Sequence, residues 1–125
     1  MDKETATRLL RVYGEAWETQ DPDLIVSIFT PDATYNDPGE PKNQGHEGIR
    51  AYWESKVVSG QRDIKFNLLN VWVDGDTVIA EWDARFVDVV RNVRIEMIEV
   101  GVFTVTGNKF SSLREYYTSV KTPLP

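Results

Sequence analysis

Four polar side chains interrupt otherwise apolar stripes in this chain: Tyr13, Asp37, Glu99 and Glu115. Tyr13 falls among Ala6, Leu9, Leu10, Ala16 and Trp17, which recur at helical spacing. Asp37 ends a short strand-like run, Glu99 sits in the alternation Val93, Ile95, Met97, Gly101, Phe103, Val105, and Glu115 lies between Leu113 and Tyr117. A carboxyl set among apolar neighbours loses hydration, which disfavours its charged form and raises its pKa. Such a group serves as a general base or acid near neutral pH. A tyrosine hydroxyl donates a hydrogen bond to an oxygen that gains negative charge and stabilises it electrostatically. Around these groups the same stripes carry Trp17, Phe29, Tyr35, Trp53, Trp82, Phe86, Met97, Phe103 and Tyr117. An apolar, ring-rich wall with a few convergent polar groups, Glu115 among them, is the usual build of a small-molecule site.

Each polar residue also has a plainer reading. Asp37 precedes Pro38-Gly39 and fits a turn equally well. Tyr13 fits a core tyrosine with a satisfied hydroxyl. Glu99 and Glu115 fit ion pairs with Arg85, Arg91 or Arg114, or an outward turn at a bulge. His46, the only histidine, follows Gly45 at a helix start, where solvation is the default. No clustered ligand spacing suggests a metal, and no cofactor motif is present, so neither is expected.

The elements that must position these groups follow from periodicity. The first helix ends at Thr19-Gln20-Asp21-Pro22; Asp21 then caps a short second helix carrying Leu24, Ile25, Ile28 and Phe29. Thr30-Pro31-Asp32 reads as a turn, 33–37 as a strand stopped at Pro38-Gly39, and about 46–58 as a third helix with Ile49, Trp53 and Val57 on one stripe. From residue 64 the period drops to two. Ile64, Phe66 and Leu68 alternate, then Leu69, Val71 and Val73 with the parity shifted, which predicts a β-bulge near Leu68-Leu69. Asp74-Gly75-Asp76 and Thr106-Gly107-Asn108 are turn signals. Val78, Ala80, Trp82, Ala84 and Phe86 share one strand face. On the strand at 93–105 both faces are apolar, since Ile98, Val100 and Val102 oppose Met97 and Phe103. An apolar outer face on a sheet covered on its other side suggests a homodimer, with ordinary exposed valines as the alternative.

Bulk composition bounds the rest. At 125 residues, 41% apolar and 27% charged, the chain reads as one globular α+β domain over 1–125. It has no cysteine, so disulfides and thiolate metal sites are excluded. The start MDKETATRLL reads as an amphipathic helix rather than a signal segment, and a cytoplasmic location is expected. A net charge of −6 argues against nucleic acid as a partner, and no apolar run suggests a membrane span.

The stretch from Tyr13 through Trp17 to Ile25, then Ile28-Phe29-Thr30-Pro31-Asp32 to Asp37-Pro38, resembles the opening of SnoaL-like and ketosteroid isomerase-like proteins. Gly48-Ile49-Arg50-Ala51-Tyr52-Trp53 resembles the start of their third helix. The resemblance implies the cone-shaped nuclear transport factor 2-like fold, with three N-terminal helices packed on a strongly curved antiparallel sheet. It also implies roles. Asp37 matches the isomerases' proton-abstracting aspartate, and Tyr13 the tyrosine that donates to the dienolate oxygen. Their second donor, a protonated aspartate, belongs near Gly101, where this chain has no carboxyl; Glu99, two residues earlier on the same face, is the nearest one. The implied activity is isomerisation, cyclisation or dehydration of a hydrophobic ketone, with Asp37 as base, Tyr13 as oxyanion donor and Glu99 as a shifted second donor. The alternative is a non-catalytic ligand-binding or dimeric interaction module.

Overall fold

The computed structural model describes residues 1–125 except Pro38 and Pro41, so the strand stop expected at Pro38 lies outside the described residues. Helix α1 (Lys3–Glu18) is capped by Asp2, whose carboxylate accepts from the Thr5 amide at 2.8 Å. Asp21 caps α2 (Pro22–Val26) in the same way, with Pro22 in its first turn. Strand β1 (Phe29–Asn36) leads to the two-residue β2 (Asn43–Gln44) and to α3 (Gly45–Trp53). The four long strands follow as β3 (Gln61–Asp74), β4 (Thr77–Asp88), β5 (Val93–Thr106) and β6 (Lys109–Pro123).

The sheet order is β2-β1-β6-β5-β4-β3. Neighbours run antiparallel except β1 and β6, which are parallel, so the sheet is mixed rather than wholly antiparallel. Two other expectations change. Ile28 and Phe29 do not belong to α2, and Thr30-Pro31-Asp32 is not a turn between elements but part of β1. The β1–β6 register jumps from Phe29↔Phe110 to Thr34↔Ser112, so the turn-forming residues loop out of the ladder within the strand. The third helix also stops being regular before 58. From Glu54 to Val58 it widens to a π turn, closed by the Ser59 amide donating to the Glu54 carbonyl at 3.1 Å.

The predicted bulge is present. The β3–β4 register shifts between Leu68 and Asn70, and Leu69, the extra residue, points to solvent instead of joining the Val71 stripe. A second shift, between Arg62 and Lys65, surrounds Asp63 with its positive φ of 54°. The two bulges curve the sheet around α1. Both two-residue hairpins turn on a positive-φ glycine, Gly75 and Gly107.

Helix α1 packs on β3 through a close approach that its apolar stripe does not announce. A Cβ added at Gly14 would overlap the Phe66 ring. Gly14→Ala gains helix propensity but overpacks this contact, and should destabilise the fold by about 1–3 kcal/mol. Urea unfolding measures it; unchanged stability would mean that the Phe66 ring moves aside freely.

The outer sheet face carries Trp72, Ile98, Tyr116 and Val120, exposed by 53%, 54%, 53% and 64%. Val100 and Val102, expected beside them, are half-buried on that face.

Candidate functional site

The inner face of the curved sheet and the helices enclose a cavity of about 480 Å³. Strand alternation supplies its long walls: Ile95, Met97 and Glu99 from β5, and Glu115, Tyr117, Ser119 and Lys121 from β6. Helical spacing supplies the roof: Tyr13 and Trp17 from α1, one turn apart, and Tyr52 and Trp53 from α3. Tyr35 on β1 and Asp37 just beyond it complete the ring. The mouth is charged, with Glu40, Lys56, Asp88, Arg91 and Lys121.

Two carboxyls lie at the inner end. Glu99 and Glu115 are 4% and 3% exposed, the only buried charged residues among the described ones. The Glu99 Oε1 accepts from the Trp82 indole Nε1 at 2.8 Å. The Glu115 Oε2 accepts from the Tyr13 hydroxyl at 2.6 Å, and that hydroxyl lies 3.2 Å from the Tyr35 hydroxyl. Burial pushes both glutamates above the usual carboxylate range, and the neighbouring Glu115 charge pushes Glu99 further. The hydrogen bond that Glu115 shares with Glu99 and the one it receives from Tyr13 partly offset its burial. Two like charges so deep cannot both form readily, so the pair holds a proton at pH values where free glutamate has lost it. Tyr13 and Tyr35 are likewise pushed up by burial and then by the Glu115 charge, which keeps both hydroxyls protonated.

Asp37 differs. It is half-buried near the mouth, and its Oδ2 accepts from the Tyr52 hydroxyl at 2.5 Å. Its Oδ1 is buried and has no hydrogen-bond partner among the described residues. Burial raises its pKa, and the Tyr52 hydrogen bond works against that rise. The site therefore combines a carboxyl near the mouth, held by Tyr52, with a deeper carboxyl pair that retains a proton.

Of the residues expected at the site, Tyr13, Asp37, Glu99, Glu115, Trp17, Tyr35, Trp53, Phe86, Met97 and Tyr117 line this one cavity. Phe29, Trp82 and Phe103, expected on the wall, do not reach it. Phe29 packs on Tyr35 and Phe110, and Phe103 on Phe110 with ring centres 4.3 Å apart. Trp82 stands behind Tyr13 and Glu99. The Tyr13 proton goes to Glu115, so the hydroxyl acts on the glutamate rather than standing free in the cavity. Neither Glu99 nor Glu115 forms an ion pair with Arg85, Arg91 or Arg114; Arg91 lies 3.9 Å from Asp88 instead. His46 sits outside the cavity with its Nε2 2.8 Å from the Phe29 carbonyl oxygen. Tyr52 was not anticipated; the one signal was its place beside Trp53 at the flank of the α3 stripe. Among the described residues no three His, Cys, Asp or Glu side chains are grouped to hold a metal ion, and no helix is long and apolar enough to cross a membrane.

A family model described as a SnoaL-like domain matches residues 9–113. No curated protein matches the chain. Among solved structures it is similar to the epoxide hydrolase/cyclase-like enzyme SalBIII of salinomycin pyran-ring formation. That pair is 24% identical, covers 94% of this chain and 93% of that one, and has a TM-score of 0.78. A protein of ketosteroid isomerase-like fold from Catenulispora acidiphila, solved with trimethylamine, is 17% identical over 88% and 85% of the two chains, with a TM-score of 0.80. An epoxide hydrolase from M. tuberculosis is 17% identical over 92% and 84%, with a TM-score of 0.75. At these identities the likeness shows the nuclear transport factor 2-like fold: three helices and a curved six-stranded sheet.

Proposed function

We propose that this chain, which belongs to the SnoaL-like domain family, binds a small hydrophobic ketone in its cavity and moves a proton on it. The observation that carries this is Asp37, half-buried on the wall of the same cavity as a carboxyl pair that keeps a proton.

In the first step Asp37 takes the proton from the carbon beside the carbonyl, and the C–H electrons move into the new C=C bond. The carbonyl oxygen gains negative charge. The proton shared by Glu99 and Glu115 donates a hydrogen bond to that oxygen, or transfers to it to give the enol. Tyr13, backed by the Tyr35 hydroxyl, holds Glu115 from behind, and Tyr52 holds Asp37. Returning the proton to another carbon completes an isomerisation. Attack of the enol carbon on a second carbonyl, whose oxygen takes the proton from Asp37, gives a cyclisation, and loss of a β-hydroxyl as water with that proton gives a dehydration.

The test is exchange of α-hydrogen for deuterium, followed by NMR, on a panel of enolisable ketones. Catalysed exchange that saturates with ketone supports the reading. Saturable binding without exchange supports the second reading, a non-catalytic binding module. That alternative draws on the engagement of the Tyr13 hydroxyl by Glu115.

We also propose a homodimer through the outer sheet face, where Trp72, Ile98, Tyr116 and Val120 would otherwise stay in water. Sedimentation should give a dimer for the wild type and a monomer for Ile98→Glu with unchanged circular dichroism. A monomeric wild type removes this proposal.

A further inference from the structure

The inner end of the cavity is built from rows of side chains across β4, β5 and β6. The ladders set Ala84 opposite Met97 and Met97 opposite Ser119, then Trp82, Glu99 and Tyr117, then Ala80, Gly101 and Glu115, then Val78, Phe103 and Leu113. The cavity wall includes Met97, Glu99, Tyr117 and Glu115, but none of Ala80, Gly101, Val78, Phe103 or Leu113. Space stops within one row, although Gly101 presents no side chain to fill it.

The Trp82 ring fills that space. A Cβ at Gly101 would lie 2.7 Å from the Trp82 Cη2 and 2.7 Å from the Phe103 Cε1. The indole slants from its own row over the glycine, fully buried. It is pinned by the hydrogen bond to Glu99 and by the rings of Tyr13 and Phe66, at 5.0 and 5.7 Å between centres. Trp82 thus fills the volume beyond Glu99 and tethers Glu99 across it. The same ring leaves no room for a side chain at 101, so the inner carboxyl on β5 stands two residues nearer the mouth.

We propose that Trp82 is the residue that fixes how deep a ligand reaches: its indole fills the volume beyond Glu99 into which a longer ligand would extend. The choice of a ketone as probe rests on the reading above; the depth limit rests on Trp82 and Gly101 alone. Shortening the side chain frees Glu99 to swing toward Gly101 and opens the space against Phe103, which lengthens the cavity inward.

The test is equilibrium binding, by NMR titration, of 2-cyclohexenone, 2-decalone and androst-4-ene-3,17-dione to the wild type, Trp82→Phe, Trp82→Leu and Trp82→Ala. Trp82→Leu and Trp82→Ala should raise the affinity for the four-ring ketone relative to the two-ring one by about tenfold over the wild type, the scale on which a pocket discriminates groups it can and cannot seat. Trp82→Phe keeps a ring over Gly101 and should keep the wild-type ratio. A ratio unchanged in Trp82→Leu and Trp82→Ala overturns the proposal. Crystals of Trp82→Leu under xenon give a readout that needs no ketone. A xenon site over Gly101 joined to the cavity supports the end-wall role even if no ketone binds, in which case the ketone reading alone falls. Collapse of Phe66 and Phe103 into the vacated space, with no xenon site, overturns the proposal.

Discussion

Asp37→Asn should abolish most of the deuterium exchange, by roughly 100- to 10,000-fold, the usual contribution of a positioned general base. The substitution is nearly isosteric. Its carbonyl oxygen still accepts from Tyr52, so the contact that orients the side chain survives, and the residue sits outside the tightly packed core. What disappears is the carboxylate charge that takes the proton. Stability and ligand affinity should therefore stay close to wild type while exchange falls. A wild-type rate in Asp37→Asn would remove Asp37 as the base.

The pH dependence should carry the same signature. Exchange needs Asp37 ionised and the glutamate pair still holding its proton. Burial raises Asp37 above its ordinary range, and the Tyr52 hydrogen bond limits the rise. Burial raises Glu99 well above its own, and the Glu115 charge adds to that. The rate should climb as Asp37 loses its proton and fall again as the pair loses its own, a bell whose two limbs are macroscopic properties of the site.

Apart from the two-residue β2, which lies in what reads as a polar loop, the order of elements, the bulge at Leu69 and the two glycine hairpins were legible because they follow from local rules. Period sets element type, a parity shift in a strand demands an extra residue, and a tight turn needs positive φ. The inward placement of Glu99 and Glu115 followed from the same strict alternation. What failed was non-local. Thr30-Pro31-Asp32 carries every turn signal, yet parallel pairing with β6 on both sides absorbs it into β1 as a looped-out stretch. Periodicity alone also cannot rank depth. Phe103 and Met97 share a face of β5, but Met97 lies toward the mouth and Phe103 beyond the end of the cavity. The partner of the Tyr13 hydroxyl is 102 residues away in the chain, so its engagement with Glu115 had no local signal at all. Tyr52 was missed for a related reason: its role depends on where Asp37 lies, not on its own neighbours in sequence.

Glu99→Gln should make the protein's stability less dependent on pH and raise it at alkaline pH. In the unfolded chain both glutamates titrate near the ordinary value of 4.5; in the folded protein both hold their protons to higher pH. Between the two ranges the folded state binds more protons than the unfolded state, so unfolding free energy falls as pH rises. The slope is at most about 1.4 kcal/mol per pH unit for each proton retained. The stabilisation is complete below the unfolded value and is lost progressively until the folded pair has ionised. Glutamine at 99 keeps a carbonyl oxygen for the Trp82 indole and offers an amide donor to Glu115, with no proton to lose. One titrating group and one of two like charges are thereby removed from the inner end. Urea midpoints from pH 4 to 9 should then slope less than in the wild type, and the two curves should cross as pH rises. Parallel curves would mean that Glu99 does not keep its proton in the folded protein, and the acid half of the proposed chemistry would have to come from Glu115 alone.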